Sequence, residues 1–270
     1  MTSTGMTSTG TPSTGTPSTG TPSTVTIVTG GGSGIGAALC RMIAAPGQAL
    51  LVHAGSNRAG AEAVAAELRA AGAEAAVAVQ PFGAPGAGGA LVADAVARWD
   101  RLDQVVHVAG RADRRPFGEL DEAGFDDAIA VNARAFLNLA TAALPHLRAA
   151  PAGRVVSTGS FLSAVFRPAA GHFPATAAAK AALVALTRSL AAQLAPDGIT
   201  VNCVVPGIIR KAPGQHSAMS DAARAQALAA IPLGRLGTPE EAAAAIAFLL
   251  SPAAGYITGQ CLHVDGGLTL

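Results

Sequence analysis

Short runs of β-branched and other apolar residues alternate along the chain with longer stretches in which alanine and leucine recur at helical spacing. The short runs predict seven strands, at 25–29, 49–54, 75–80, 104–108, 154–157, 199–204 and 260–264. The longer stretches predict helices at 34–45, 59–71, 88–99, 125–147, 175–194 and 239–250. Strand–helix alternation of this length is typical of a parallel sheet covered by helices on both faces. The pattern therefore predicts an α/β fold with a doubly wound parallel sheet.

The first 24 residues break this pattern. They repeat Met-Thr-Ser-Thr-Gly twice and continue with variants of Thr-Pro-Ser-Thr-Gly. A Thr/Ser/Pro/Gly tract buries too little apolar surface to offset the entropy lost on ordering. We expect a disordered low-complexity tail at 1–24, followed by a single Rossmann-type domain at 25–270.

The composition of the chain indicates which kinds of binding partner to expect. Half of the 270 residues are hydrophobic and only 13% are charged, so we expect apolar surface to be hidden in a homo-oligomer. A net charge of +1 without a basic stripe predicts no nucleic-acid partner. Apolar runs such as 181–186 are too short to cross a bilayer, so no membrane association is expected.

The cysteines Cys40, Cys203 and Cys261 are scattered and odd in number. Their spacing does not match a metal site, so no metal is expected. Reduced, mostly buried thiols are typical of the cytoplasm, which is the predicted location.

A glycine-rich segment joins the first predicted strand to the first helix. Glycine at such a turn permits unusual φ/ψ angles and close approach of a ligand to the backbone, while the helix N-terminus attracts phosphate. The segment predicts a dinucleotide site, and a purely structural strand–helix turn is the alternative. The candidate pyrophosphate-binding residues are Gly30, Gly32, Ser33, Gly34, Ile35 and Gly36.

The end of the second strand bears on the choice of cofactor. An acidic residue there would accept hydrogen bonds from the adenine ribose and favour NAD. The chain instead has Ser56, Asn57 and Arg58 after this strand, without a carboxylate. Ser56 and Arg58 can bind a 2′-phosphate through charge-assisted hydrogen bonds, which favours NADP over NAD. A surface arginine that only opens a helix is the alternative interpretation of Arg58.

Several segments, in order, resemble the short-chain dehydrogenase/reductase family, close to its single-domain 3-ketoacyl reductase-like branch. The spacing of Gly30, Gly34 and Gly36 is that of the family's glycine loop. Eight further segments match, at 104–110, 131–133, 154–160, 180–188, 201–207, 232–241, 256–260 and 264–267. The resemblance covers everything after the tail. It implies the Rossmann-type fold, a nicotinamide cofactor and a homotetramer.

The resemblance also implies roles for individual residues. Ser160 matches the active-site serine, Lys180 the catalytic lysine, which binds the nicotinamide ribose, and Asn132 the active-site asparagine. Thr176 stands where the family carries its catalytic tyrosine, the usual proton donor, and the only tyrosine is Tyr256. Further cofactor contacts are implied for Ala109, Gly110, Lys180, Pro206, Gly207 and Ile209.

The proton donor is therefore open at this stage. A threonine hydroxyl is a far weaker acid than a phenol, although Thr176 could hold a water that delivers the proton. His172 precedes Thr176 by four residues and is a second candidate donor. The alternatives are a helix-surface threonine and a solvated loop histidine without catalytic roles. Phe173 retains an aromatic ring, but no acid, at the position where enoyl-thioester reductases carry a tyrosine.

Three functions fit these residues. The first is an NAD(P)(H)-dependent oxidoreductase with an atypical site, which transfers hydride to the carbonyl of a small-molecule or thioester-carried substrate. The second is reduction of a C=C bond conjugated to a thioester. The third is a non-catalytic homologue that binds nucleotide or a partner. Substrate recognition is expected on a mobile lid at about 208–231.

Overall fold

The computed structural model describes residues 21–166, 172–211 and 220–270. Within these residues seven parallel strands form one sheet in the order β3-β2-β1-β4-β5-β6-β7. The strands are β1 (Thr24–Thr29), β2 (Gln48–Ala54), β3 (Glu74–Val79), β4 (Gln104–His107), β5 (Arg154–Thr158), β6 (Thr200–Pro206) and β7 (Cys261–Val264). The predicted α/β fold with a doubly wound parallel sheet is confirmed.

Helices cover both faces of this sheet. They are α1 (Gly34–Ile43), α2 (Arg58–Ala70), α3 (Ala87–Trp99), α4 (Glu122–Ile129), α5 (Ala135–Ala149), α6 (Pro174–Leu194), α7 (Asp221–Ala230) and α8 (Pro239–Leu250). One buried cluster joins the sheet to α3, α5 and α6, and a second joins the opposite face to α1, α2 and α8. The strands β5 and β6 are buried along their whole length, as expected for a sheet covered on both sides.

The segment predicted as one helix at 125–147 is more irregular than its sequence pattern indicated. It begins at Glu122, and a π-helical turn at Ala130–Arg134 separates α4 from α5. Single π-helical turns inside α-helices frequently occur at functional sites. This turn carries Asn132 and brings that residue under the carboxyl ends of the strands.

The span Glu122–Ala149 is also long and apolar enough to cross a membrane by length and composition alone. In the described fold α4 contacts α6, while α5 packs against α3, and Phe136, Leu139 and Leu147 of α5 are completely buried. A core helix of a globular protein passes the same test of length and composition. That no membrane is involved stays a prediction.

Two predicted segments lie partly outside the described residues. The predicted tail falls outside them up to residue 20, whereas 21–24 are described and Thr24 already belongs to β1. Pro22 accepts a hydrogen bond from Arg101 Nη1 at 3.1 Å. Of the lid predicted at 208–231, residues 212–219 lie outside the description, while α7 occupies its second half as a helix that the sequence pattern did not indicate.

The sheet reverses its winding between β1 and β4. Strands β2 and β3 lie on one side of this pair, and β5, β6 and β7 lie on the other. Crevices at such a reversal, outside the carboxyl ends of the strands, are where ligands bind in open α/β sheets. The segments after β1, β4, β5 and β6 meet at this edge.

Candidate active site

The turn after β1 is compact enough to require glycine. Gly30 has a φ of +71°, and a Cβ on it would lie 3.0 Å from the backbone nitrogen of Ala109. A Cβ on Gly36 would lie 2.3 Å from the carbonyl oxygen of Gly30. Glycine is needed at position 30 because the backbone there is left-handed, and at position 36 because α1 contacts the turn so closely that a Cβ does not fit.

One side of this turn faces open space. Gly34, the first residue of α1, has a φ of +52°, and a Cβ built on it would meet no atom within 4 Å. The N-cap residue, Ser33, makes no side-chain bond to the helix. Backbone N–H groups at the start of α1 are therefore left for a ligand, and the helix dipole favours an anion there. This cradle fits a pyrophosphate.

The end of β2 lies directly against the glycine turn, because Gly31 N donates to His53 O at 2.8 Å. After β2, Asn57 caps α2 by accepting a hydrogen bond from Gly60 N at 3.0 Å. Arg58 opens that helix with an exposed side chain, 3.8 Å from Glu62. Ser56 is exposed beside it. The Ser56 hydroxyl and the Arg58 guanidinium thus lie at the same edge of the sheet, whereas the Asn57 side-chain oxygen is already bonded to Gly60 N in the helix cap.

A chain of buried hydrogen bonds links the ends of β1 and β4 to the π-helical turn. Thr29 Oγ1 accepts from the backbone nitrogens of Val108 and Ala109, each at 3.1 Å, and lies 3.2 Å from His107 Nδ1. His107 Nε2 lies 3.0 Å from the carbonyl oxygen of Asn132. Both Thr29 and His107 are completely buried.

The Asn132 side chain is held on one side only. Its Nδ2 donates to Ala128 O at 2.9 Å and to Arg111 O at 3.1 Å. Its Oδ1 is buried and has no hydrogen-bond partner among the described residues. A Cβ on Gly110 would lie 2.6 Å from Asn132 Oδ1 and 3.2 Å from Lys180 Nζ. The amide oxygen and the ammonium group therefore converge beside Gly110.

Lys180 reaches this point from α6. Its Nζ donates to the carbonyl oxygen of Thr158, at the end of β5, at 2.7 Å. The side chain is buried, and burial lowers the pKa of Lys180 to about 8 because it penalises the charged form. No carboxylate pairs with Lys180 among the described residues. The group combines three N–H donors with a proton that is more acidic than that of an exposed lysine.

Ser160 follows β5 by two residues and caps a short 3-10 helix, Phe161–Ser163. Its Oγ accepts a weak hydrogen bond from Leu162 N at 3.3 Å, and its carbonyl oxygen accepts from Ser163 Oγ at 2.8 Å. Ser160 is partly exposed at the same edge of the sheet as Lys180. The hydroxyl proton of Ser160 can therefore be donated to an oxygen of a ligand.

Thr176 is not at the helix surface, because only 3% of it is exposed. Its Oγ1 accepts a hydrogen bond from Asp113 N at 2.8 Å and donates one to Asp113 O at 3.2 Å. Both hydrogen-bonding functions of the hydroxyl are thus used by one residue of the loop after β4. Its proton is already donated to a carbonyl oxygen, which leaves none free for a substrate.

The remaining predicted site residues lie just before α6 and at the end of β6. His172 is exposed just before α6. At the end of β6, Gly207 N donates to Val264 O at 3.0 Å, and a Cβ on Gly207 would lie 2.7 Å from Asp265 Cα. Pro206 is the last residue of β6, and Ile209 forms an isolated bridge with Gly237. Glycine at 207 is thus required by contact with β7's flanking loop.

The structure adds residues to which the sequence pattern assigned no role. Thr29 and His107 carry the buried chain to Asn132, and Asp113 takes the hydroxyl of Thr176. Phe82 is a core residue, with its ring centroid 4.9 Å from that of His53 and 5.4 Å from that of His107. The only sequence signal for this cluster was polar residues at strand ends.

The chain is similar to known proteins over most of its length. A family model described as "Enoyl-(Acyl carrier protein) reductase" matches residues 30–269. The chain is 36% identical over 253 residues to the short-chain reductase protein NovJ of Streptomyces niveus, covering 90% of this chain and 93% of that protein. It is 39% identical over 246 residues to a cis-4-hydroxycyclohexanecarboxylate dehydrogenase of Sinomonas cyclohexanicum, covering 91% and 96%.

A third relative is the 3-oxoacyl-[acyl-carrier-protein] reductase FabG of Staphylococcus aureus, 33% identical over 242 residues, with 90% of this chain and 96% of that protein covered. Among solved structures, a short-chain dehydrogenase/reductase from Serratia marcescens superimposes with a TM-score of 0.84 at 32% identity, covering 93% of this chain and 99% of that one. The chain belongs to the short-chain dehydrogenase/reductase family.

Proposed function

We propose that this protein is an NADP(H)-dependent reductase that transfers hydride to the carbonyl of a small-molecule or thioester-carried substrate. The observation that carries the proposal is the convergence of Lys180 Nζ and Asn132 Oδ1 beside Gly110. This point adjoins the glycine turn, since Gly30 packs against Ala109. A nucleotide lying across the turn would present its nicotinamide end to these groups.

Each retained residue has a separate task in this reaction. The nicotinamide, when bound, supplies a hydride to the carbonyl carbon. Lys180 holds the adjoining ribose with its ammonium donors, and the Ser160 hydroxyl donates a hydrogen bond to the substrate oxygen as negative charge develops there. The backbone around Gly207 closes the site from the side of β6 and β7.

The oxygen of the reduced carbonyl must also receive a proton. The Thr176 hydroxyl is engaged with Asp113, so we assign this proton to the Lys180 ammonium, which passes it through water. A pKa of about 8 leaves Lys180 mostly protonated at neutral pH, yet far more acidic than an exposed lysine. Exposed His172 remains the second candidate donor.

The preference for NADP rests on the edge formed after β2. Ser56 and Arg58 are exposed there, and no acidic residue occupies the first turn of α2. A charge-assisted contact from Arg58 is worth about 1.5–3 kcal/mol, or roughly 10–100-fold in affinity. We expect Arg58→Ala to weaken NADPH binding by this factor and to leave NADH binding unchanged. Arg98→Ala, in an exposed pair with Asp94 on α3, is the matched control.

Reduction of a C=C bond conjugated to a thioester is the second candidate. In that reaction hydride goes to the β-carbon, and the oxygen of the enolate needs a hydrogen-bond donor more than a strong acid. The engaged hydroxyl of Thr176 favours this possibility, as does the description of the matching family model. Ser160 would then hold the enolate oxygen.

The first experiment is a fluorescence titration of the purified protein with NADPH and with NADH, followed by single-turnover assays with a ketone and an enoyl thioester. Saturable NADPH binding with transfer to the ketone supports the proposal. Transfer only to the enoyl thioester selects the second candidate. Absence of binding by either nucleotide refutes both reductases and leaves the non-catalytic homologue.

A tyrosine at position 176 provides a further test of carbonyl reduction. We expect Thr176→Tyr to raise kcat for ketones, because a phenol would restore a direct proton donor. An unchanged kcat in a variant that still binds NADPH would contradict a carbonyl-reducing site.

We further propose a cytoplasmic homotetramer that engages neither nucleic acid nor a membrane. The three cysteines are all free thiols in the described structure, which suits a reducing compartment. Apolar side chains such as Leu262 on β7 and Phe248 on α8 are exposed in the isolated chain, which suits subunit contacts. Light scattering tests the oligomer, and a monomer would contradict it.

A further inference from the structure

The hydrogen bonds around His107 define the state of its ring. The carbonyl oxygen of Asn132 can only accept, so His107 Nε2, 3.0 Å away, must carry a proton. Thr29 Oγ1 already accepts from two backbone N–H groups, which leaves its own proton for His107 Nδ1 at 3.2 Å. The geometry thus selects the neutral Nε2–H form of His107.

The surroundings of the ring hold it in place. His107 packs between Phe82 and Phe136, with ring centroids 5.4 Å and 5.6 Å away. Burial, together with the nearby charge of Lys180, lowers the pKa of His107 to about 3. His107 therefore stays neutral throughout the physiological pH range, and its hydrogen bonds keep one direction.

The residue bonded by His107 belongs to the candidate active site. Asn132 lies in the π-helical turn, where the regular α-helical hydrogen-bond pattern is interrupted. His107 fixes its peptide carbonyl, Ala128 and Arg111 fix its Nδ2, and its Oδ1 is left facing Gly110 and Lys180. Loss of the carbonyl anchor would allow the turn to rearrange and the amide oxygen to move.

We propose that His107 is a positioning residue: its Nε2–H group anchors the Asn132 peptide and thereby keeps Asn132 Oδ1 at the side of Gly110 that the Lys180 ammonium also approaches. This inference rests on the proposed reductase function, to which it adds a residue that does not touch the nucleotide or the substrate. The partial negative charge of an amide oxygen near an ammonium group favours the charged form of that group. In the part of the chain that the structure describes, the other titratable groups close to Lys180 are His107 and Cys203. A hydrogen bond with Cys261, followed by burial, raises the pKa of Cys203 well above its ordinary range.

Two substitutions separate anchoring from packing. His107→Phe keeps an aromatic ring between Phe82 and Phe136 but removes the donor. His107→Gln retains an N–H that reaches about as far as Nε2. We expect the phenylalanine variant to lose about 10–100-fold in kcat, with the KM and the NADPH affinity nearly unchanged, and the glutamine variant to recover most of this loss.

His53→Phe is the matched control for loss of a buried histidine. His53 is completely buried and packs on the other side of Phe82, but its Nε2 bonds to Gln80 O instead of the π-helical turn. We expect kcat of this variant to stay within about 3-fold of the parent. An equal loss of kcat in the His53 and His107 variants would show that core damage alone explains the effect and would overturn the proposal.

A pH profile gives a measurement that packing damage does not move. We expect the alkaline limb of single-turnover hydride transfer to shift to lower pH in His107→Phe, because the partial negative charge of Asn132 Oδ1 would move away from the side of Gly110 that the ammonium approaches, and to return in His107→Gln. Long-range ¹H–¹⁵N spectra of the nucleotide-free protein should show His107 as a neutral Nε2–H ring from pH 5 to pH 8. A limb that does not move, or an Nδ1–H ring, would refute positioning.

Failure of the proposed function is distinguishable from failure of this inference. A parent protein that neither binds NADPH nor transfers hydride refutes the reductase. An active parent whose His107→Phe variant is equally active refutes the positioning role alone.

Discussion

Thr176→Val removes one hydroxyl while keeping the shape of the side chain, so it tests whether that hydroxyl serves catalysis or holds the Asp113 peptide. In the structure the hydroxyl accepts from Asp113 N at 2.8 Å and donates to Asp113 O at 3.2 Å. Both bonds are made to the backbone of Asp113, in the loop after β4. We therefore expect the substitution to affect stability much more than turnover.

The magnitude follows from these two hydrogen bonds. Each is worth about 1 kcal/mol net, and a buried N–H group left without a partner adds to the loss. Asp113 is only partly buried, so water will satisfy part of what is lost. The expected change in the free energy of unfolding is about 2 kcal/mol, or roughly 4–8 °C in Tm for a domain of this size.

The assay compares urea denaturation with single-turnover reduction for three variants. Thr176→Ser keeps the hydroxyl and should match the parent in both measurements. Thr187→Val removes a buried hydroxyl of the same helix that bonds to Ser157 Oγ and Leu183 O, both at 2.8 Å, far from Asp113 along the chain. It should lose similar stability, and both valine variants should keep kcat within about 5-fold.

The opposite pattern would refute this reasoning. If Thr176→Val kept the stability of the parent and lost kcat by about 100-fold or more, the hydroxyl would be acting on the proton and not on Asp113. A solvent isotope effect that disappeared in the valine variant would support the same conclusion.

Three further changes have expected outcomes. Gly36→Ala places a Cβ 2.3 Å from Gly30 O, so we expect a loss of about 1–3 kcal/mol in chemical denaturation and no saturable NADPH binding by fluorescence. The pKa of His107, about 3 when folded, lies below its unfolded value of about 6.5, so the unfolded chain takes up the proton first. The parent should therefore lose about 2 kcal/mol more stability than His107→Phe between pH 7 and pH 5, and equal losses would contradict a buried neutral ring. Lys180→Met should abolish hydride transfer but raise the free energy of unfolding at pH 7 by about 2 kcal/mol. The substitution relieves about 3 kcal/mol of ammonium desolvation and loses about 1 kcal/mol of hydrogen bonding to Thr158. Urea denaturation measures this change, and a less stable variant would contradict it.

The central strands could be predicted closely because they are buried on both faces of the sheet. Such strands are continuous apolar runs, and every residue of β5 and β6 is buried. The predicted bounds of 154–157 and 199–204 differ from those observed by at most two residues. Both differences concern strand ends, where the backbone leaves the sheet and the apolar pattern gives the least information.

Helix α7 was not predicted, because its sequence pattern also gives little information. Residues 221–230 follow a stretch rich in glycine, proline and serine, which indicated a loop over the whole of 208–231. Alanine dominates this segment and favours a helix, but its apolar residues do not form the clear stripe that marks α1 or α2. Helical propensity without periodicity was too weak a signal to separate a helix from a lid.

Those parts of the candidate site that depend on unusual side chains could be predicted from the sequence, whereas those that depend on backbone groups could not. Glycine spacing predicted the nucleotide turn, because only particular residues permit that geometry. The bonds of Thr176 to Asp113 and of His107 to Asn132 involve backbone N–H and C=O groups, which every residue carries. Sequence therefore indicated which side chains are unusual, but the structure was needed to show which of them are already engaged.

Lys180 bears most directly on whether the protein catalyses a reaction. Its ammonium is buried, bonds to Thr158 O, and has no carboxylate partner among the described side chains. Burying a charge in this way lowers stability at neutral pH, and a buried apolar side chain would serve the fold better. Unfavourable burial of a titratable group is typical of functional sites. A gain in stability from Lys180→Met, together with loss of hydride transfer, would therefore distinguish a reductase from a nucleotide-free scaffold.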